Sequence, residues 1–290
     1  MKLLVTGANG QLGYDILRRA SEYGADCTGF TSADMDITDP EQVKKAFEQE
    51  KWDGVIHCAA WTAVDQAEEP ELLEKVRDVN ARGTEYIAKE CANRDIPLLY
   101  FSTDYVFNGE GETPWKEDDP FEPLNVYGLT KGEGETAVRK NPKHFIVRIS
   151  WVFGIHGNNF VKTMLKLGAS GRPLKVVADQ IGSPTYTWDL AGLALEMIQS
   201  EKYGTYHATN QGFCSWYEFA REIFRQADLH PDVTFCSSGE FAQKAKRPHN
   251  SRMSQQRLTE NGFALLPAWQ DALGRYLQEL EEEKHTHRES

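Results

Sequence analysis

The sequence predicts an α/β protein built on a doubly wound parallel sheet, joined to a smaller mixed α/β lobe. Two features predict the sheet. Short apolar runs rich in β-branched residues alternate with longer amphipathic stretches through the first half of the chain, and the first run passes through a glycine-rich turn into a helical pattern. A third predicts the lobe: after about residue 150 the rhythm becomes less regular. The 290 residues suffice for one large domain with an appended lobe, and an apolar fraction of 40% with 11% aromatics supports a real core.

Strands are expected at Lys2–Thr6, Asp26–Phe30, 54–58, 98–102 and 145–149, with helices at 11–23, 40–50, 71–94 and 126–139. The strands are apolar almost without a break, as expected when helices cover both faces of a parallel sheet. Pro40 suits the first helical position behind Asp39, and Pro97 ends the long third helix just before a strand. Farther on, 171–187 and 246–254 read as loops, and helical patterns return at 189–200, 215–227 and 269–283. The charged tail 281–290 lacks apolar periodicity and is expected to fray. There is no internal repeat.

The formal charge of -12, from 32 basic and 44 acidic residues, argues against nucleic acid and against an anionic membrane surface as partners. It leaves room for an anionic small molecule held by a local basic pocket. Five cysteines, odd in number and without CxxC spacing, predict neither a disulfide framework nor a zinc site and suit a reducing cytosol. The N-terminal apolar run stops at the first glycine, too short for a signal peptide or a membrane span. The expectation is a soluble cytoplasmic protein.

The first strand leads into Gly7-Ala8-Asn9-Gly10-Gln11-Leu12-Gly13, and a helix follows. Such a turn lets backbone approach a pyrophosphate, which then lies over the N–H groups and positive dipole end of the helix. With a strand before it and a helix after it, the turn predicts dinucleotide binding of the Rossmann type through Gly7, Gly10, Gln11, Leu12 and Gly13. Asp36 and Ile37, after the second strand, are candidates to hold the adenine, and the small Ala59 and Ala60 after the third leave room for ribose or adenine. The second strand ends Gly29-Phe30-Thr31-Ser32, with no acid to repel a 2′-phosphate. That favours NADPH and leaves NADH open. The cofactor domain is then 1–150, completed by elements within 183–210, with 151–280 mainly a substrate-binding lobe.

Tyr127-Gly128-Leu129-Thr130-Lys131 sets a tyrosine and a lysine four apart, on one face of a helix with Asn125 as its N-cap. A neighbouring ammonium is expected to lower the phenol's pKa from roughly 10, so that Tyr127 exchanges a proton with a substrate oxygen near neutrality. Ser102 and Thr103 stand at the end of the fourth strand, where open α/β sheets bind ligands. Either hydroxyl could bond a carbonyl being reduced, and strand alternation lets only one point at the cleft.

These three stretches, in this order, resemble the extended short-chain dehydrogenase/reductase family, and within it the dTDP-4-dehydrorhamnose reductases. The resemblance runs nearly end to end. It includes Thr62-Ala63-Val64-Asp65, Ser102-Thr103-Asp104-Tyr105-Val106-Phe107, Arg148-Ile149-Ser150-Trp151, Gly157-Asn158-Asn159-Phe160, Asp179-Gln180-Ile181-Gly182-Ser183-Pro184-Thr185 and Arg247-Pro248. It implies reduction of the C4 keto group of dTDP-4-dehydro-6-deoxy-L-mannose, with Thr103, Tyr127 and Lys131 as the catalytic trio and Lys131 also holding the nicotinamide ribose. It further implies that Thr103 and Asp104 touch the sugar, that Trp151 lies against the thymine, and that Asn159 and Gln180 bond sugar or base. Arg247 becomes the candidate phosphate clamp, ahead of Arg252 and Lys162. Some relatives bind magnesium between subunits through acidic residues. The sequence places no such ligand set here, Asp15 included, and leaves a homodimer open. A nucleotide-sugar epimerase or dehydratase, or a non-catalytic NAD(P)-binding regulatory subunit, are the alternative readings.

Overall fold

The computed structural model describes residues 1–240 and 243–289. Its first half builds β1 (Lys2–Thr6), α1 (Gln11–Arg19), β2 (Asp26–Phe30), α2 (Pro40–Glu48), β3 (Gly54–His57), α3 (Leu73–Arg77), α4 (Gly83–Asn93), β4 (Leu98–Thr103), α5 (Val126–Val138) and β5 (His144–Ile149). The second half adds β6 (Val152–Phe153), α6 (Phe160–Gly168), β7 (Leu174–Val177), β8 (Ile181–Gly182), β9 (Thr185–Tyr186), α7 (Thr187–Ile198) and β10 (Gly204–His207). There follow β11 (Asn210–Gln211), β12 (Cys214–Ser215), α8 (Trp216–Gln226), β13 (Val233–Cys236), α9 (Gln256–Glu260), β14 (Leu266–Ala268) and α10 (Trp269–Glu289).

Six strands form one parallel sheet in the order β10-β5-β4-β3-β1-β2. Successive side chains point to opposite faces, and both faces are apolar and covered. Leu3, Val5, Ile56 and Phe101 pack with Ile16 of α1 and with Leu190, Ala194 and Met197 of α7. On the other face Leu4, Val55 and Tyr100 pack with Val43 and Phe47 of α2 and Ile87 of α4. The order in which strands are added reverses between β1 and β3, so their carboxyl ends open a crevice. A separate core built around Phe153, Phe219, Leu273 and Tyr276 holds the second lobe.

Three local expectations are corrected. The helix expected over 71–94 is broken: α3 passes into a π turn at Asp78–Arg82 before α4. The Asn80 carboxamide causes the bulge, because it accepts from Trp61 N at 2.8 Å and donates to Trp61 O and to Thr130 Oγ1. The stretch 171–187 is not a loop but carries β7, β8 and β9. Their partners β13, β12 and β6 are mostly distant in sequence, beyond the reach of local pattern. The tail does not fray within the described residues, since α10 runs to Glu289. Trp269, Ala272, Leu273, Tyr276 and Leu280 bury one face of that helix, and the Glu/Lys run that follows propagates it; Ser290 lies outside the described residues. Among the described residues no helix is long and apolar enough to cross a membrane. None of the five cysteines is paired.

Candidate active site

β1 delivers the glycine turn to the crevice. Gly7 has a φ of +65°, and a Cβ there would lie 2.7 Å from Ala59 N, while one on Gly13 would lie 2.3 Å from Gly7 O. Only glycine allows the turn, the third strand's exit and α1 to meet this closely. Gly10 caps α1 without a side chain to occupy the first-turn N–H groups, which leaves an anion cradle at that helix end. Gly7, Gly10, Thr31, Ser32, Asp36, Ile37, Ala59 and Ala60 line a cleft of about 260 Å³ beside the turn. Its size and small-residue walls fit an adenosine. An acid does stand near the end of β2. Asp34 Oδ2 accepts from Thr31 N at 2.9 Å and from Thr31 Oγ1 at 2.7 Å, a contact that local sequence did not reveal.

A second cleft, of about 580 Å³, adjoins the first at Cys58 and Ala60. Gln11, Leu12, Thr103, Asp104, Tyr127, Lys131 and Trp151 line it. β4 ends at Thr103, whose Oγ1 donates to Asp104 Oδ1 at 3.1 Å, accepts from Tyr105 N at 3.2 Å and lies beside the Tyr127 hydroxyl. That contact selects Thr103 over Ser102 as the hydroxyl beside the tyrosine. The Ser102 hydroxyl also lines the cleft, buried and without a partner.

α5 is seated on backbone. A Cβ on Gly128 would lie 2.1 Å from Tyr105 O, and one on Gly134 would lie 2.6 Å from Asn80 O. Farther along, buried Glu135 binds Arg148 of β5 through two contacts of 2.8 and 2.9 Å. The helix that carries Tyr127 and Lys131 is thereby fixed at both ends.

The electrostatics correct one expectation. Tyr127 is not lowered but pushed up to about 12, chiefly by burial and then by Asp104, with the Thr103 hydrogen bond acting in the opposite sense. Lys131 is pulled down to about 7 by burial. Its Nζ donates to Phe101 O at 2.6 Å and lies 4.0 Å from the Tyr100 ring centre. With the Lys131 ammonium turned onto Phe101 O, burial and Asp104 set the phenol. The phenol therefore holds its proton, which suits a donor to a developing alkoxide.

Trp151 adopts a φ of +50°, uncommon for a bulky residue, and its indole stacks on Trp216 of α8 at 3.7 Å and 15°. Three expected ligand residues have other partners. Asn159 caps α6 by accepting from Lys162 N and donates to Gln11 Oε1, Gly154 O and Tyr276 Oη, while Asn158 lines the cleft. Gln180 accepts from Trp216 Nε1 at 3.2 Å and donates to Ser238 Oγ at 2.9 Å, which places it behind the tryptophan pair. Arg247 makes a two-point pair with Asp65, at 2.8 and 3.2 Å, and lies beside Tyr105. Arg252 bonds Asn250, and Lys162 bonds the Ile155 and Gly157 carbonyls. Sequence reasoning missed Trp216, whose neighbour Ser215 signals a helix start through its capping box with Glu218 but not a stack on Trp151. Among the described residues no group of His, Cys, Asp and Glu is arranged to hold a metal ion.

The open parallel sheet, the glycine cradle and the Thr-Tyr-Lys trio at the end of β4 define a nicotinamide-dependent oxidoreductase of the short-chain dehydrogenase/reductase type. The chain belongs to the family described as the RmlD substrate binding domain, whose model matches residues 1–282. It is 42% identical over 279 residues to the spore coat polysaccharide biosynthesis protein SpsK of Bacillus subtilis, covering 96% of this chain and 97% of that one. It is 38% identical over 287 residues to the dTDP-4-dehydrorhamnose reductase of Aggregatibacter actinomycetemcomitans, covering 94% and 97%. The crystal structure of dTDP-4-dehydrorhamnose reductase from Bacillus anthracis in complex with NADP superposes with a TM-score of 0.92 at 40% identity, covering 96% of this chain and 99% of that one.

Proposed function

We propose that this protein reduces the C4 keto group of dTDP-4-dehydro-6-deoxy-L-mannose to dTDP-L-rhamnose with NADPH, in the cytoplasm, to supply cell-surface polysaccharide. One observation carries the reading. A dinucleotide cradle runs without interruption into a cleft where a protonated tyrosine, a threonine hydroxyl and a lysine stand together beside an indole wall. The name and bound NADP of the Bacillus anthracis relative support both substrate and cofactor.

The residues present fit the dinucleotide. The N–H groups of the first turn of α1 would hold its diphosphate, Asp36 and Ile37 its adenine, and Thr31 and Ser32 its 2′-phosphate. When bound, it supplies a hydride to the carbonyl carbon. Tyr127 gives its proton to the carbonyl oxygen, Thr103 orients that oxygen, and Lys131 leaves Phe101 O to hold the nicotinamide ribose. Trp151 would face the thymine, and Arg247 would exchange Asp65 for the substrate diphosphate. The cofactor domain comprises residues 1–150 with α7 and β10, and the remainder to about residue 280 forms the substrate lobe.

The test is absorbance-monitored consumption of NADPH and of NADH with dTDP-4-dehydrorhamnose, set against UDP- and GDP-linked keto sugars. Turnover with the dTDP sugar and NADPH is expected. A preference for a UDP or GDP sugar, or no oxidation at all, would overturn the reading.

A further inference from the structure

The Asp104 carboxyl has no role in the steps above beyond touching the sugar, yet it is 2% exposed and its Oδ2 has no hydrogen-bond partner. An ionised carboxylate left in that state is expensive, whereas a neutral carboxyl carries a proton it can give away. Two hydroxyls adjoin it: Thr103, which donates to Oδ1 at 3.1 Å, and Ser251, itself 2% exposed. Ser251 sits on an extended segment pinned at two points. Its N–H donates to Ile181 O at 2.8 Å, and Asn250 N donates to Gly109 O at 2.8 Å. Thr103 in turn lies beside the Tyr127 hydroxyl, and both line the cleft. Tyr127, Thr103, Asp104 and Ser251 thus stand side by side in that order, with Thr103 bonded to Asp104, while the Lys131 ammonium is turned away onto Phe101 O.

We propose that Asp104, acting through Thr103, is the proton reserve that recharges Tyr127 in the reduction. The inference rests on the reductase reading. As the carbonyl carbon receives its hydride, the Tyr127 O–H bond breaks and the proton passes to the carbonyl oxygen, which becomes the product hydroxyl. The tyrosinate takes the Thr103 hydroxyl proton, and Thr103 Oγ1 takes the Asp104 carboxyl proton. Asp104 is left as carboxylate and regains a proton from water when the cleft opens. One proton and one hydride are consumed for each carbonyl reduced, and the tyrosine and threonine end unchanged.

The titratable groups facing Asp104 are Tyr127 from α5, Tyr105 from its own turn and, beyond Tyr105, Arg247 of the pinned segment. Burial pushes the carboxyl up to about 6, against the Ser251 and Thr103 hydrogen bonds. Two measurements test the role. In infrared titration of the full wild-type chain, with Asp104→Asn as the blank, a neutral carboxyl band should vanish with a midpoint near 6. Ser251→Ala should move that midpoint upward, because its hydrogen bond favours the charged form. A carboxyl ionised down to its ordinary range near 4 overturns the proposal, whatever the substrate proves to be. In turnover, Asp104→Asn should lower kcat about tenfold or more with KM little changed, raise the solvent deuterium isotope effect, and lose the fall of kcat as pH rises through about 6. Wild-type kcat and isotope effect in that variant, or a loss confined to KM, overturn the relay and leave the reductase reading standing. A wild type that turns over no dTDP keto sugar speaks against the reductase reading alone.

Discussion

Substituting Asp15 by Asn should make the protein more stable at pH 8 while leaving its stability at pH 4 almost unchanged. Asp15 lies on α1, fully buried, between the Thr187 hydroxyl that donates to it and Arg18 at 3.0 Å, with Glu279 behind that arginine. Burial is the largest influence on the carboxyl and pushes it up to about 6, from an ordinary 3.8, despite Thr187 and Arg18. The folded chain therefore binds this proton more tightly than the unfolded chain does. Its contribution to stability is full below pH 3.8 and is lost as pH rises to about 6. At about 1.4 kcal/mol per pH unit, the loss amounts to ~3 kcal/mol. The side-chain amide of Asp15→Asn keeps an acceptor for Thr187 and has no charge to desolvate. It should remove most of that slope, less what the Arg18 pair contributes at high pH. Urea denaturation of both proteins at pH 4, 6 and 8 measures the difference directly. Equal pH slopes in the two proteins, or a variant less stable than wild type at pH 8, would refute the reasoning.

Three further outcomes follow from the site and its supports. Tyr127→Phe should keep its fold and its NADPH affinity, read by cofactor fluorescence, while kcat drops at least about a hundredfold; an unchanged kcat removes the tyrosine from the chemistry. Gly13→Ala should abolish cofactor binding in a fluorescence titration, since its methyl would sit 2.3 Å from Gly7 O. Glu135→Gln leaves fully buried Arg148 without a counter-charge and should cost about 3 kcal/mol or more in chemical denaturation, with a matching loss of activity as α5 loosens.

What could be read from sequence was local or carried by spacing. The glycine turn needs a strand on one side and a helix on the other, so Gly7, Gly10 and Gly13 declared their place, as did the Tyr127–Lys131 pair. The resemblance supplied Thr103 where strand alternation left Ser102 open, and the structure places Thr103 beside the Tyr127 hydroxyl. What failed depended on partners far along the chain. The π turn at Asp78–Arg82 follows from Asn80 reaching Trp61 and Thr130, and the strands within 171–187 exist because distant strands pair with them. Tyr127 was misjudged in sign because a spacing of four gives proximity to a lysine but not the depth at which both groups lie. Trp216 stayed hidden for a related reason: a capping box marks where a helix starts, not which distant ring it meets.

The glycine-lined seat of α5 has a consequence for how such a protein can change over time. With Gly128 against Tyr105 O and Gly134 against Asn80 O, that wall of the cleft is set by main-chain contact and admits almost no variation in side-chain volume. Adaptation to a different sugar or nucleobase must then fall on the opposite wall, where Trp151, Asn158 and Trp216 present side chains that can be exchanged. A library aimed at new substrates would do best to hold 126–138 constant and randomise these three positions, keeping proton chemistry intact while recognition drifts.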